Sequence, residues 1–149
     1  MVAQPVEVEK PLAVKVKLPL TAFFAHRHEN YYPMKPKLLL HIEGGAVLAV
    51  SCVIYQHLHG SWVRFALFFL VPDISMFFFF VNNRVGAVAY NLVHTYTTPI
   101  LLSLVLWLSG QESYIWIALI WGAHIGLDRL IGAGLKYETG FKDTHLNRV

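Results

Sequence analysis

The chain has 149 residues, of which 56% are hydrophobic and only 14% are charged. An ordinary soluble domain carries about 25% charged residues, so this composition favours a membrane protein. The formal net charge is only +3, and most of the basic residues lie toward the two ends of the chain. This pattern is typical of a membrane-surface charge distribution and argues against nucleic-acid binding. Cys52 is the single cysteine, which excludes an intrachain disulfide.

The first segment, residues 1–37, is rich in lysine, glutamate and valine. Five prolines interrupt any helix in it: Pro5, Pro11, Pro19, Pro33 and Pro36. The segment lacks the apolar core of a signal peptide. The sequence therefore predicts a flexible, basic N-terminal extension over residues 1–37.

Four long apolar segments follow, at about residues 38–55, 62–81, 85–108 and 114–135. A helix of twenty residues is about 30 Å long, which is the thickness of the hydrocarbon core of a bilayer. So short a chain could not cover four such helices in a soluble fold. The sequence predicts an all-α membrane protein, with a four-transmembrane-helix bundle over residues 38–135 and an amphipathic tail over residues 136–149.

Lysine and arginine predict the orientation of the bundle. They are abundant in the N-terminal extension and in the closing segment, and Arg84 lies in the middle connector. The connectors around residues 57–61 and 110–113 contain neither residue type. Because basic connectors stay on the cytoplasmic side, both termini and the tail are predicted to be cytoplasmic. The protein is then a multi-pass protein of the cell (inner) membrane.

Three ionisable residues lie deep in these segments. Counting at 1.5 Å per residue places Asp73, His94 and His124 about 14 to 17 Å from a membrane surface. Asn91 and Asp128 lie about one turn nearer the cytoplasmic side. Such groups are expensive in lipid, so each is expected to face protein or trapped water. The sequence therefore predicts a polar site inside the bundle.

Three chemical interpretations of this site remain open at this point. In the first, four side chains bind a divalent metal such as Zn²⁺ or Fe²⁺, because imidazole and carboxylate are suitable ligands: Asp73, His94, His124 and Asp128. Glu43 or Tyr90 would then act as acid or base. In the second, the same groups form a proton or cation path. In the third, they only hydrogen-bond the helices together. The spacing matches no recognised zinc motif.

Helical periodicity supports a shared location for these groups. Asn91 and His94 lie on one stripe of the third segment, and His124 and Asp128 are four residues apart in the fourth. Gly122 and Gly126 form a Gly-x-x-x-Gly pair in that segment, which allows helices to approach closely. The glycine-rich faces also make a homo-oligomer an expectation.

The closing segment offers a second set of polar groups. Arg129 and Lys136 would suit an anionic headgroup at the inner surface, which makes membrane lipids the expected partners. His145 would lie near the opening of the site if the chain turns at Gly140. The alternative is an amphipathic tail on the membrane surface, with Phe141 as its anchor.

Five motifs together resemble a known family. They are PDxxM at residues 72–76, YNxxHxY at 90–96, AHIGxDR at 123–129, GLKY at 134–137 and GFKDTHL at 140–146. Over about residues 38–148 the chain resembles a bacterial family of small membrane proteins, domain-of-unknown-function family 4260. The resemblance implies a four-helix integral membrane protein and brings no settled activity. Its motif positions include several candidate site residues: Asp73, Asn91, His94, His124, Asp128 and His145.

The sequence thus leads to one hypothesis, a hydrolase-like, metal-dependent membrane enzyme that acts on a lipid or another apolar substrate. A looser similarity to small membrane-bound metal-dependent hydrolases supports it by analogy only. The expected substrate-binding residues are Asn91, Arg129 and Lys136, and the expected acid–base residues are Glu43, Tyr90 and His145. The alternatives are a membrane protein that handles protons or cations, and a structural membrane subunit.

Overall fold

The computed structural model describes residues 35–149, so nearly all of the predicted N-terminal extension lies outside the described residues. This part of the chain contains five α-helices: α1 (Pro36–His57), α2 (Trp62–Phe69), α3 (Asn83–Val93), α4 (Thr97–Leu108) and α5 (Ile115–Ile131). Three 3₁₀ helices complete it: Val71–Phe80, Glu112–Tyr114 and His145–Asn147. An isolated bridge joins Lys136 and Thr144, and residues 35–149 contain no strand. The predicted all-α class is confirmed.

Three helical segments are long and apolar enough to cross a membrane: Pro36–His57, Trp62–Phe80 and Glu112–Ile131. Their mean hydropathies are 1.8, 1.9 and 1.2. Helices α3 and α4 supply a fourth span if the bent pair crosses as one unit. The membrane-protein prediction is therefore supported, while the count of four spans and the orientation of the termini stay predictions.

The second apolar segment changes its helix type at a proline. Helix α2 ends at Phe69, and the chain continues as a ten-residue 3₁₀ helix, Val71–Phe80. Pro72 has no N–H group and its ring clashes with the carbonyl four residues earlier, so the α-helical ladder cannot continue through it. The Asp73 N–H donates instead to the carbonyl of Leu70 at 3.1 Å. So long a 3₁₀ helix is uncommon, and it sets the position of Asp73.

The third apolar segment is not the continuous helix that the sequence predicted. It breaks between Val93 and Thr97, and the axes of α3 and α4 differ by 46°. Pro99 accounts for the break, because it cannot donate to the carbonyl of Thr95 and its ring crowds that turn. The Thr98 hydroxyl donates to the carbonyl of Leu92 across the bend. His94 therefore lies at a helix end rather than within a helix.

Helices α1 and α5 pack antiparallel through glycines. An added Cβ at Gly44 would lie 2.5 Å from the Cβ of Arg129, and one at Gly126 would lie 2.7 Å from the backbone nitrogen of Leu48. Within the most apolar stretch of each span, 44% of the α5 span is buried, against 11% of the Trp62–Phe80 span. Helix α5 is therefore the central helix, and it carries two residues of the predicted site.

Candidate metal centre

Four ionisable side chains from three elements meet inside the bundle. Asp73 comes from the 3₁₀ helix, His94 from the end of α3, and His124 and Asp128 from α5. The Nε2 atoms of the two histidines are 3.2 Å apart. The Oδ1 atom of Asp73 lies 3.5 Å from each of them. The Oδ2 atom of Asp128 lies 3.7 Å from His94 Nε2 and 3.8 Å from His124 Nε2.

These separations fit a small divalent ion. Metal–ligand bonds of about 2.0 to 2.1 Å in a tetrahedral site place neighbouring ligand atoms about 3.3 to 3.4 Å apart. The nitrogen–nitrogen and Asp73 oxygen–nitrogen distances, 3.2 and 3.5 Å, bracket that value. One ligand atom each from Asp73, His94 and His124 lies within 4.8 Å of the others. The residues present therefore suit a metal bound by nitrogen and oxygen.

The orientation of the His94 ring is fixed by Tyr90. Its Nδ1 atom lies 3.1 Å from the carbonyl oxygen of Tyr90, so the ring proton belongs on Nδ1 and the lone pair of Nε2 faces the cluster. The Tyr90 ring stacks on the imidazole with a centroid separation of 3.7 Å. The His94 side chain is completely buried. A hydrogen bond on the second ring nitrogen is the usual support of a metal-binding histidine.

His124 is buried as well, but it is supported differently. The ring of Phe69 packs against it at 5.3 Å in an edge-to-face arrangement. Its Nδ1 atom has no hydrogen-bond partner among the described residues. Two imidazole lone pairs only 3.2 Å apart repel each other, whereas a proton or a metal ion between them makes the contact favourable.

Asp128 is held by a tyrosine. The Tyr90 hydroxyl, which is buried, donates to Asp128 Oδ2 at 3.0 Å. Tyr90 thus supports two members of the cluster, His94 with its ring and carbonyl and Asp128 with its hydroxyl. The sequence predicted Tyr90 as an acid or base, and its double contact depends on the packing of α3 against α5.

Asn91 pairs with the main chain of the tail. Its Nδ2 atom donates to the carbonyl of Lys136 at 2.9 Å, and the N–H of Lys136 donates to Asn91 Oδ1 at 2.7 Å. The two bonds engage both polar atoms of this amide. Asn91 was expected to bind substrate, and in the structure it holds the tail against α3.

Arg129 is buried and binds main-chain carbonyls. It donates from Nη1 to Ala133 at 2.7 Å and from Nη2 to His94 at 2.9 Å. The bend between α3 and α4 makes the His94 carbonyl available, because the N–H of Thr98 donates to Thr95 instead. Arg129 therefore ties the bend to the end of α5, a contact that no sequence pattern indicated.

The other predicted site residues lie around the cluster rather than in it. The Lys136 ammonium lies 5.0 Å from the centre of the Tyr90 ring and 4.3 Å from that of Phe141. The Nδ1 atom of His145 accepts a hydrogen bond from the N–H of Leu135 at 2.8 Å. Glu43 and His145 both line a separate cavity, together with Arg129.

An apolar cavity of about 610 Å³ adjoins the cluster at Asp73. Its walls include three phenylalanines of the 3₁₀ helix and one from the tail: Phe77, Phe79, Phe80 and Phe141. Asp73 is the one charged residue that lines it. The part of these phenylalanines in a cavity is not visible in the sequence, because it depends on the tail folding back to bring Phe141 to the wall.

The fold and the cluster define a helical protein with three to four candidate membrane spans and a buried histidine–aspartate site. The chain belongs to a family described as Domain of unknown function (DUF4260), whose family model matches residues 37–149. This match confirms the resemblance. No curated protein and no solved structure matches the chain. Function is therefore argued from the site itself.

Proposed function

We propose that this protein is a metal-dependent membrane enzyme that hydrolyses a lipid or another apolar ester. The observation that carries the proposal is the convergence of two buried imidazole Nε2 atoms, 3.2 Å apart, with a carboxylate oxygen 3.5 Å from both. Asp73, His94 and His124 are assigned as the ligands of a divalent ion, Zn²⁺ or Fe²⁺. Three protein ligands are the usual complement of a catalytic site, which leaves one coordination position for water.

The energetic cost of the cluster favours this function over a purely structural role. An aspartate at the centre of a membrane helix costs about 3 kcal/mol on the insertion scale. Helices can be joined without that cost by small residues in close contact. Gly44 and Gly126 already join α1 and α5 in this way. Ionisable groups retained at this depth in addition are candidates for function.

Asp128 is assigned as the general base rather than as a fourth ligand, since its Oδ2 atom lies 3.7 and 3.8 Å from the two Nε2 atoms, farther than the Asp73 oxygen at 3.5 Å. A divalent ion at the cluster would lower the pKa of a bound water toward neutrality. Asp128 takes the proton of the attacking water and returns it to the leaving alkoxide. The reaction then consumes one water and converts an ester into an acid and an alcohol.

The apolar cavity beside Asp73 supports the substrate class. Its volume of about 610 Å³ and its phenylalanine walls suit a hydrocarbon chain. A hydrocarbon chain bound in this cavity would have its polar end at Asp73. Lys136, which stacks over Phe141 at the wall, supplies a positive charge near the same rim.

The proposed orientation has both termini in the cytoplasm, so that the tail lies at the inner surface of the cell membrane. The distribution of lysine and arginine supports it. In a Cys52→Ser background, Gly110→Cys or Glu112→Cys should react with an impermeant thiol reagent added from outside. Reaction from the cytoplasmic side alone would contradict this orientation.

Elemental analysis of the purified full-length protein in detergent tests the metal. The parent should contain about one divalent ion per chain, and His94→Ala and His124→Ala should lose it while remaining folded. His57→Ala is the matched control, because His57 is exposed at the end of α1. A parent without metal, together with two histidine variants that fail to fold, would show that the cluster is structural.

Hydrolysis is tested separately on an extract of membrane lipids. The metal-loaded parent should release acid products detectable by mass spectrometry, and a chelator should stop the release. A stoichiometric metal without any product would contradict the enzyme. Proton uptake into liposomes by a metal-free protein would favour the proton-path alternative.

A further inference from the structure

The separate cavity named above has a volume of about 280 Å³ and lies near the start of α1 and the end of α5. Glu43 of α1, Arg129 of α5, Tyr96 of the bend and His145 of the tail line it. Glu43 is about two helical turns from the start of α1. At 1.5 Å per residue this is about 10 Å, which in the membrane orientation argued above places Glu43 in the cytoplasmic third of its span, while Arg129 is only two residues from the end of α5.

Three of the lining side chains offer hydrogen-bond donors. Arg129 uses two of its five N–H groups on main-chain carbonyls, so three remain. The Tyr96 hydroxyl is buried and has no partner in the described part of the chain. The ring proton of His145 belongs on Nε2, because its Nδ1 atom accepts from Leu135. Burial and the charge of Arg129 lower the pKa of His145, which keeps the ring neutral.

Glu43 also lines this cavity, and its carboxylate is an acceptor rather than a donor. Within residues 35–149 it forms no ion pair at 4.0 Å or less, although Arg129 lines the same cavity. A carboxylate and a guanidinium that share a cavity without touching are complementary to a ligand that carries both signs of charge.

We propose that this cavity binds a phosphate ester bearing a primary ammonium group, the chemistry of an ethanolamine phosphate headgroup. The free N–H groups of the Arg129 guanidinium donate to phosphate oxygens, and Tyr96 and His145 are further donors. Glu43 receives the ammonium group. A membrane phospholipid and a soluble glycerophosphodiester both present this chemistry.

Arg129 thus shares its cavity with Glu43 rather than with Lys136. The sequence grouped Arg129 and Lys136 as two cations for one anionic headgroup. In the structure Lys136 lines a different cavity, beside Asn91, and its ammonium lies over aromatic rings. The acidic wall is what distinguishes an aminated phosphate from a plain anion.

The test measures affinity for two matched ligands with the full-length protein in lipid-free detergent. Dihexanoyl phosphatidylethanolamine should bind at least about 10-fold more tightly than dihexanoyl phosphatidylmethanol, which keeps the phosphodiester and the chains but lacks the ammonium group. Glu43→Gln should abolish this preference. Glu112→Gln, the same change at an exposed position in another helix, should retain it. Tyr96→Phe should weaken both ligands equally.

The outcomes also separate the two sources of the ligand. Glycerophosphoethanolamine that binds as tightly as the acylated form assigns a soluble ligand, and much weaker binding assigns the lipid. Equal affinity of the parent for the two matched lipids, or a preference that survives Glu43→Gln, overturns the proposal. Metal analysis of the same samples is independent, so a metal-free parent that keeps the preference contradicts the enzyme and supports this site.

Discussion

The interior of the bundle holds Asp73 and Asp128 against two histidines, whereas the tail holds Asp143 against Arg148. The histidines of the first cluster are 0 and 3% exposed, while the side chain of Arg148 is 49% exposed. A solvated pair such as the second contributes little to stability. The two interior histidines have lost that solvation, whereas Asp73 is 30% exposed and Asp143 is 29% exposed. Other interactions must therefore offset the loss at the histidines.

This comparison teaches that residue type alone does not identify the site. Both clusters contain an aspartate and a basic side chain, and the tail pair has the better hydrogen-bond geometry, with Arg148 Nε 2.9 Å from Asp143 Oδ1. Only the interior cluster combines convergence, burial and ligand spacing. The contrast also provides a matched control for the substitution of the interior aspartate.

The largest expected effect is on metal affinity, when the same aspartate-to-asparagine substitution is made in the interior cluster and, as a control, in the tail. Asp73→Asn should lower metal affinity by more than about 100-fold, because loss of an outer-sphere partner alone already costs 10- to 100-fold. Asp143→Asn should leave the affinity unchanged. Both are measured by competition with a chelator of known affinity. An Asp73→Asn variant that keeps the parent's affinity would remove Asp73 from the ligand set.

A smaller effect is expected from the packing that positions the interior cluster. Gly126→Ala should destabilise the protein by about 1 to 3 kcal/mol, since the new methyl group meets the backbone of α1 at 2.7 Å. Gly140→Ala is the control, because nothing lies within 4 Å of its added methyl group. Thermal unfolding in detergent compares the two variants. Equal melting temperatures would show that α1 and α5 pack less closely than the structure indicates.

The smallest effect is expected from pH on the tail pair. The hydrogen bond from Arg148 lowers the pKa of Asp143, so the folded tail binds the Asp143 proton less readily than the unfolded chain. The contribution of this pair is therefore present above the ordinary aspartate pKa and is lost as the pH falls through the lowered value.

Amide hydrogen exchange over residues 137–148, corrected for its intrinsic pH dependence, measures that loss. Exchange of the tail should rise at acid pH, and high salt should reduce the contribution at neutral pH because the pair is exposed. Asp143→Asn should exchange like the acidified parent. A parent whose tail protection is independent of both pH and salt would contradict the role of this pair.

Much of the architecture was predictable because the bilayer imposes strict length and polarity requirements. Long apolar segments gave the helical class and the candidate spans, and counting along them gave the depth of Asp73, His94 and His124. Helical periodicity placed His124 and Asp128 on one face of α5. The convergence of these groups was a prediction from their depth and helical face, and the distances of 3.5 Å from Asp73 to both histidines agree with it.

Pro99 and the threonines before it are compatible with a local helix distortion, but they did not predict a break at His94. A proline within an apolar segment can kink a membrane helix or be absorbed by it, depending on which groups replace the lost hydrogen bonds. Here the replacement is the Arg129 guanidinium, which comes from 35 residues away. Periodicity within one segment carries no information about a donor from another.

The sequence by itself determined that this chain forms apolar helices with ionisable groups at one depth, because hydrophobicity and the rise per residue are local properties. Only the tertiary structure decided which atoms of those groups meet. The Tyr90 hydroxyl reaches Asp128, the Asn91 amide holds the main chain of Lys136, and Arg129 lies in a cavity with Glu43. Each of these pairs consists of residues 38 or more positions apart, so its arrangement depends on how the helices pack and on where the tail folds back.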